Sequence, residues 1–232
     1  NSALVTGENC LAIEIHNCSA TSSDMSSSAW LIASTESAVK NYSETPVWFI
    51  APTDGSSKLP LVVIETGNVE IPNEPKIDGT MKVIDNGPGM MNYISDPGTD
   101  YSGKIGIEVR GQSSQYFFPK DSYSLETRDD LGEDLKAPLL GLPEESDWVL
   151  HAPYSDKTLM RNALTYYLGI HMGDWAPHFK YCEVYVNGDY RGIYLLLEKI
   201  KRDGDRVDVE KTNSTHNAGD SLTGGYIVRV DK

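Results

Sequence analysis

Asn187-Gly188 divides two alternating apolar segments, Lys180 to Val186 and Tyr190 to Leu197. Asn and Gly accept the positive φ angles of a type I′ turn, whose twist matches that of paired antiparallel strands. This dipeptide commits its part of the chain to a β-hairpin and so to an antiparallel sheet. Ile105-Gly106-Ile107-Glu108-Val109-Arg110 alternates in the same way, and Ser122 to Thr127 reads as its antiparallel partner. Leu59-Pro60-Leu61-Val62-Val63-Ile64 is continuously apolar and too short for a helix, which predicts a buried strand. Met81 to Ile84 predicts a strand inside the Pro-, Gly-, Asn- and Asp-punctuated stretch Glu70 to Thr99, and Gly225 to Val230 predicts a last one.

One segment has helical periodicity. Leu159/Met160, Ala163/Leu164, Tyr167/Leu168 and His171 recur at helical spacing, Asp156 is placed to cap them, and Gly173 stops the run. The spacing predicts a helix over 156–172. The order of strands, helix, hairpin and strand predicts an α+β fold, an antiparallel sheet with one main helix.

Upstream, Leu11 to Ile15 reads as a strand after the Gly7-Glu8-Asn9 turn; a Ser/Thr-rich stretch and an apolar patch, Ala29 to Ala33, follow. Residues 36–57 hold Pro46, Pro52 and Gly55 around a patch at Val47 to Ile50 and read as a linker with one strand embedded. The chain opens mid-pattern at Asn1-Ser2-Ala3 and reads as an excised segment. Cys10 and Cys18 are close enough to bridge adjacent strands, leaving Cys182 odd; three reduced or buried thiols fit the sequence equally well. Sequons at Asn17, Asn41 and Asn213 matter only in a secretory eukaryotic setting.

Charge restricts function. The 232 residues carry 20 Lys and Arg against 34 Asp and Glu, a formal net charge of −14. An acidic surface repels phosphate backbones at long range, which argues against a nucleic-acid partner. The one basic cluster, Lys199 to Arg202, is followed at once by acids. Phosphate chemistry in such a chain needs a local basic pocket on an acidic body. No apolar run approaches the ~20 residues of a membrane span.

Arg110-Gly111-Gln112-Ser113-Ser114-Gln115 ends a strand in small residues, and Phe118-Pro119-Lys120 leads into the next strand. Small side chains let backbone N–H groups approach an anion, Ser adds hydroxyls, and Lys or Arg adds charge. The same residues also read as a plain hairpin loop with a surface Lys, the commoner outcome. Lys157 and Arg161 stand at i, i+4 near the positive end of the expected helix, each placement unfavourable by about 0.3–1 kcal/mol for the dipole. A carboxylate or a bound phosphate would offset this, and the apolar neighbours of Arg161 and Asn162 suggest a buried role for both. Glu198 leaves an apolar strand, either as an ordinary strand-end charge or as part of a ligand-binding hinge. Asp203, Asp205 and Asp208 lack the remaining ligands of a calcium loop. The five histidines show no metal-binding spacing, and CxxC, Gly-x-Ser-x-Gly and Walker motifs are absent.

Together these segments resemble the CotH kinase family, atypical kinase-like proteins first associated with spore coats. Arg110-Gly111-Gln112-Ser113-Ser114 is similar to the family's RGNSS element, with Gln112 where Asn is usual. Phe118 to Tyr123 resembles FPKKSY, with Asp121 in place of the second Lys. Asp147-Trp148-Val149-Leu150 and Asp156 to Asn162 resemble the block that opens the family's helix. Val186 to Glu198 resembles VNGxYxGxYxxxE, and Gly224-Gly225-Tyr226 also fits. The resemblance spans residues 59–232 and implies the N-terminal lobe of an atypical kinase-like fold. It implies a nucleotide site of Arg110, Ser113, Ser114, Lys120, Arg161 and Glu198, with Lys120 on the phosphates, the 110–115 turn over them and Glu198 at the adenine side. ATP and Mg²⁺ are the implied cofactors, and the implied activity is phosphoryl transfer to Ser or Thr of a secreted or surface protein. In the family the metal-holding carboxylates lie in Asn/Asp-His-Asn-type and PWDxD-type segments farther on. Neither motif occurs in this sequence, so the resemblance assigns it no catalytic residue and no metal ligand. Asp231 matches neither, and residues 59–232 alone are expected to bind nucleotide weakly and transfer nothing. Residues 1–35 are similar to the last strands of a β-sandwich found upstream of CotH domains in secreted bacterial proteins, which implies export. The rival implication is a non-enzymatic surface scaffold or adhesion module beside a carbohydrate-binding sandwich, favoured by Asp121 and the acidic surface.

Overall fold

The computed structural model describes residues 55–223 and 225–228. All belong to the second of two compact units of the chain, Ala51–Lys232. The sandwich strands expected over residues 1–35, Cys10, Cys18 and nearly all of the expected linker lie outside the described residues. The elements are β1 (Ser56–Ser57), β2 (Leu61–Glu65), β3 (Ile77–Ile84), β4 (Asn92–Tyr93), β5 (Tyr101–Arg110), α1 (Ser113–Phe117), β6 (Ser122–Arg128), β7 (Asp147–His151), α2 (Arg161–His171), β8 (Phe179–Val186), β9 (Asp189–Glu198) and α3 (Asp220–Thr223).

Seven strands close into a barrel in the order β2-β3-β5-β6-β7-β9-β8, while β1 pairs with β4 apart from it. Neighbours in the barrel are antiparallel except β2 and β8, which run parallel from Leu61↔Glu183 to Ile64↔Val186 and close the ring. This overturns the expected α+β fold, an antiparallel sheet with one main helix resembling a kinase N-terminal lobe. The described chain is mostly β, and of its three helices only α2 exceeds five residues. The sequence predicts six of the seven barrel strands, all but β7, and the long-range parallel pair that turns a sheet into a barrel leaves no local signature.

Alternation along the strands builds the interior. Val62 and Ile64, Ile105 and Ile107, Leu125, Trp148 and Leu150, and Leu196 form one buried cluster. The outward residues Val149, Leu195 and Leu197 are buried separately by Ala163 of α2, with Tyr166 packed against them. Leu61, Val63 and Ile84 form a third cluster under Ile94 and Tyr185. Two covered faces explain why β2 and the end of β9 are continuously apolar rather than alternating. Each fully buried Leu or Ile contributes roughly 1.5–3 kcal/mol.

The Asn187-Gly188 hairpin forms as expected, with φ of 50° and 78°. β5 and β6 pair antiparallel from Lys104↔Arg128 to Arg110↔Ser122. The helix begins later than its periodicity predicts, at Arg161 rather than Asp156. The Asp156 carboxylate accepts hydrogen bonds from the backbone N–H of Thr158 and of Arg161. Leu159 has φ 60°, and its carbonyl accepts a 2.7 Å hydrogen bond from the Tyr181 hydroxyl of β8. These contacts hold 156–160 as a turn. Of the strand expected over 225–230, residues 225–228 carry no ladder and the rest lies outside the described residues. Among the described residues no helix is long and apolar enough to cross a membrane.

At the end of the barrel where β7 begins, charges are paired. Asp147 lies 2.8 Å from Lys201, 3.0 Å from Lys199 and 3.8 Å from Lys76, and Glu145 lies 2.9 Å from Lys201. Burial alone would raise the Asp147 carboxyl, but hydrogen bonds from Lys201 and Lys199 outweigh it and hold the group below the usual range. Glu145 is lowered against its own burial by Lys201 and the Ser146 N–H. Groups whose folded pKa is depressed stabilise fully above their unfolded values near pH 4, and that stability is lost as pH falls through the folded pKa. Urea unfolding should therefore show stability dropping steeply below about pH 4. Asp147→Asn should be less stable at neutral pH and show a shallower acid slope; an unchanged slope would assign the effect to other carboxylates.

Candidate anion-binding site

Arg110, Ser122 and His151 come from three neighbouring strands and occupy one row of the ladder. Arg110 pairs with Ser122, Tyr123 pairs with Leu150, and His151 pairs with Leu195. Since Tyr123 and Leu150 face the interior, Ser122 and His151 face outward, on the side that α2 covers. Strands are spaced about 4.8 Å apart, so β5 and β7 stand roughly 10 Å apart across this row. Ser122 Oγ accepts a 2.9 Å hydrogen bond from Ala152 N–H, which ties the first residue of β6 to the end of β7.

Lys120 enters the same end of the barrel from the segment before β6. Its Nζ donates to the Ile193 carbonyl at 2.6 Å and lies 4.3 Å from the centroid of the Tyr194 ring. Gly192 makes this possible: it has φ 88°, and a Cβ there would stand 3.3 Å from Nζ. An ammonium carries three donors, and one is engaged by protein. Partial burial pulls the Lys120 pKa below its ordinary value. Arg110 is solvent-exposed, and although its surroundings also lower its pKa it stays charged at any working pH. Among the described residues neither Arg110 nor Lys120 forms an ion pair with a carboxylate, in a chain with 14 more acids than bases.

His151 joins them. Burial lowers its pKa first, the charge of Arg110 lowers it further, the Asn162 side chain opposes by hydrogen bonding, and Lys120 adds a smaller lowering. Tyr166 of α2 faces Arg110. Two cations and one titratable ring thus act on one another with Glu108 as the carboxylate near Arg110 but no ion pair to either cation, an arrangement that an incoming anion would relieve. At the same barrel end, a cleft of about 390 Å³ is lined by Asp121, Tyr123, Asn187, Asp189 and Arg191 among others.

The remaining expected residues are placed differently. Ser113 and Ser114 follow the row directly, in α1 rather than in an open loop. Ser113 is exposed, and Ser114 Oγ fills the space where a Cβ of Gly111 would lie. Arg161 opens α2 with its side chain 71% exposed and Nε 3.7 Å from Asp156. The buried role expected for it does not arise, and its neighbour Asn162 turns to His151 instead. Lys157 does not share a helical face with Arg161, because 156–160 is a turn; its Nζ donates to the Tyr154 carbonyl and sits 4.1 Å from that ring. Glu198 pairs with Trp148, at the far end of β7 from His151, about 10 Å along the strand. Its Oε2 accepts from His178 N–H at 2.9 Å and lies 2.8 Å from His178 Nδ1, while Oε1 is buried without a partner. Arg110 and Lys120 thus both act on His151, Ser113 and Ser114 follow β5 in α1, Arg161 is exposed at the start of α2, and Glu198 stands apart.

Sequence reasoning missed His151 as a site residue, and it singled out Asn162 only for a buried role beside Arg161. Alternation in Trp148-Val149-Leu150-His151 does place His151 opposite the interior face, but its alignment with Arg110 requires the β5-β6-β7 register. Among the described residues no three His, Cys, Asp or Glu side chains are grouped to hold a metal ion.

A family model described as CotH kinase protein matches residues 107–232, a stretch that contains Arg110, Lys120, His151 and Asn162. No curated protein matches the chain.

Gly192→Ala tests the packing behind Lys120. A Cβ at positive φ costs about 1–2 kcal/mol, and here it also crowds the ammonium. Chemical denaturation should show a loss of at least that size, and a neutral substitution would mean that Gly192 is not what seats Lys120.

Proposed function

The chain belongs to the CotH kinase family, and we propose that Arg110, Lys120 and His151 together hold the phosphates of ATP for transfer to a Ser or Thr hydroxyl of a secreted or surface protein. The observation that carries this reading is that, among the described residues, Arg110 and Lys120 form no ion pair with a carboxylate on a strongly acidic chain. A guanidinium offers a planar fork of donors suited to phosphate oxygens, and Lys120 adds a point charge with two donors to spare. Ser113, in α1 shortly after β5, adds an exposed hydroxyl.

When bound, ATP supplies the transferable γ-phosphoryl group. The residues described here bind and orient phosphate. Among the described residues no three His, Cys, Asp or Glu side chains are grouped to hold Mg²⁺.

Calorimetry with ATP·Mg²⁺ tests the assignment. Charge-assisted hydrogen bonds are worth about 1.5–3 kcal/mol, so Lys120→Ala and Arg110→Ala should each weaken binding by roughly ten- to a hundredfold. Arg161→Ala, already paired with Asp156 in solvent, should change it by less than about threefold. Unchanged affinity in both the Lys120 and Arg110 variants would remove the site. A wild-type chain that binds no nucleotide would favour the scaffold or adhesion role instead.

A further inference from the structure

We infer that His151 is a third, proton-carrying ligand of this anion site, so that anion binding and protonation of the imidazole are coupled. The inference rests on the phosphate reading above and adds a residue and a regulation to it. His151 lies in the same outward row as Arg110, two strands away. The groups facing it are Arg110 from β5, Lys120 from the segment before β6, and Asn162 from α2, with Tyr166 and Glu108 acting on Arg110 behind them. No carboxylate is among the groups that act on the ring itself.

Burial and the charges of Arg110 and Lys120 favour the neutral ring, which offers an anion a single N–H. An anion seated on Arg110 and Lys120 cancels their repulsion, the ring takes up a proton, and both nitrogens become donors. Asn162 engages the ring from the α2 side, which makes it a positioning residue for His151. The coupling is reciprocal: whatever factor by which the anion favours the imidazolium, protonation tightens the anion. Because the unliganded pKa is depressed below the ordinary value near 6.5, affinity should rise as pH falls from about 8 to about 6. Each unit by which the anion raises the pKa permits at most a tenfold gain.

The experiment uses the whole chain, with ATP and with sulfate, whose charge does not change in this range. The imidazole C–H resonance of His151, assigned by its loss in His151→Gln, is followed against pH with and without each anion. His178 and His171 serve as internal references, since they face Glu198 and the Tyr167 carbonyl instead. Both anions should raise the His151 pKa and leave the references unmoved. Calorimetry with ATP should show the wild-type advantage over His151→Gln growing several-fold from about pH 8 to about pH 6. Asn162→Ala should lower the His151 pKa in the free protein. If ATP binds but the His151 pKa does not move, the inference is overturned while the phosphate reading stands. If ATP fails to bind the wild type at either pH, the phosphate reading falls and takes this inference with it.

Discussion

Parallel pairing of β2 with β8 is the contact on which the rest of the described structure depends. More than a hundred residues separate the two strands, so their union must overcome a substantial loop-closure entropy. The offset is the barrel interior, where Val62, Ile64, Val184 and Val186 meet the inner residues of five other strands. Closure also satisfies the backbone groups of two strands that would otherwise be open edges. Thr66 and Asn187 reinforce the junction: Asn187 Oδ1 accepts from Thr66 N–H at 2.8 Å, just past the last paired residues. The hairpin turn residue is therefore also a clasp on the barrel.

A closed barrel leaves only its outer surface and its two ends for chemistry. The two ends of β7 differ in electrostatic character. At its start, Asp147 and Glu145 are matched by Lys76, Lys199 and Lys201, and opposite charges hold peripheral segments against the strands. At its end, His151 stands with Arg110 and Lys120; no carboxylate acts on the ring, and Glu108 acts on Arg110 without an ion pair. An acidic chain has ample means to neutralise three bases. Leaving them unmatched holds positive potential in one place and keeps it free for a ligand, at a cost in stability that paired surface charges do not incur.

Small backbone features decide where those bases sit. Gly192, with its positive φ, gives Lys120 the space to reach the Ile193 carbonyl. The turn at 156–160 delays α2, so that Asn162 rather than Arg161 faces the ring. Had the helix begun at Asp156, Lys157 and Arg161 would have shared one face and the charge would have lain elsewhere.

Local order was readable in the chain itself. Period-two alternation marked β5 and β6, an unbroken apolar run marked β2, and Asn187-Gly188 marked the β8–β9 hairpin, because side-chain direction and turn angles are properties of a few adjacent residues. The same holds for the bases: Arg110 and Lys120 stood out by the small residues around them. Tertiary structure alone decided that the sheet is a barrel and that Glu198 lies at the opposite end of β7 from His151. It also decided that a histidine without motif spacing stands between two cations. Each of those outcomes depends on which distant strands pair and in what register. Pairing is settled by the sum of many buried contacts rather than by any one segment, so no window of the sequence contains it.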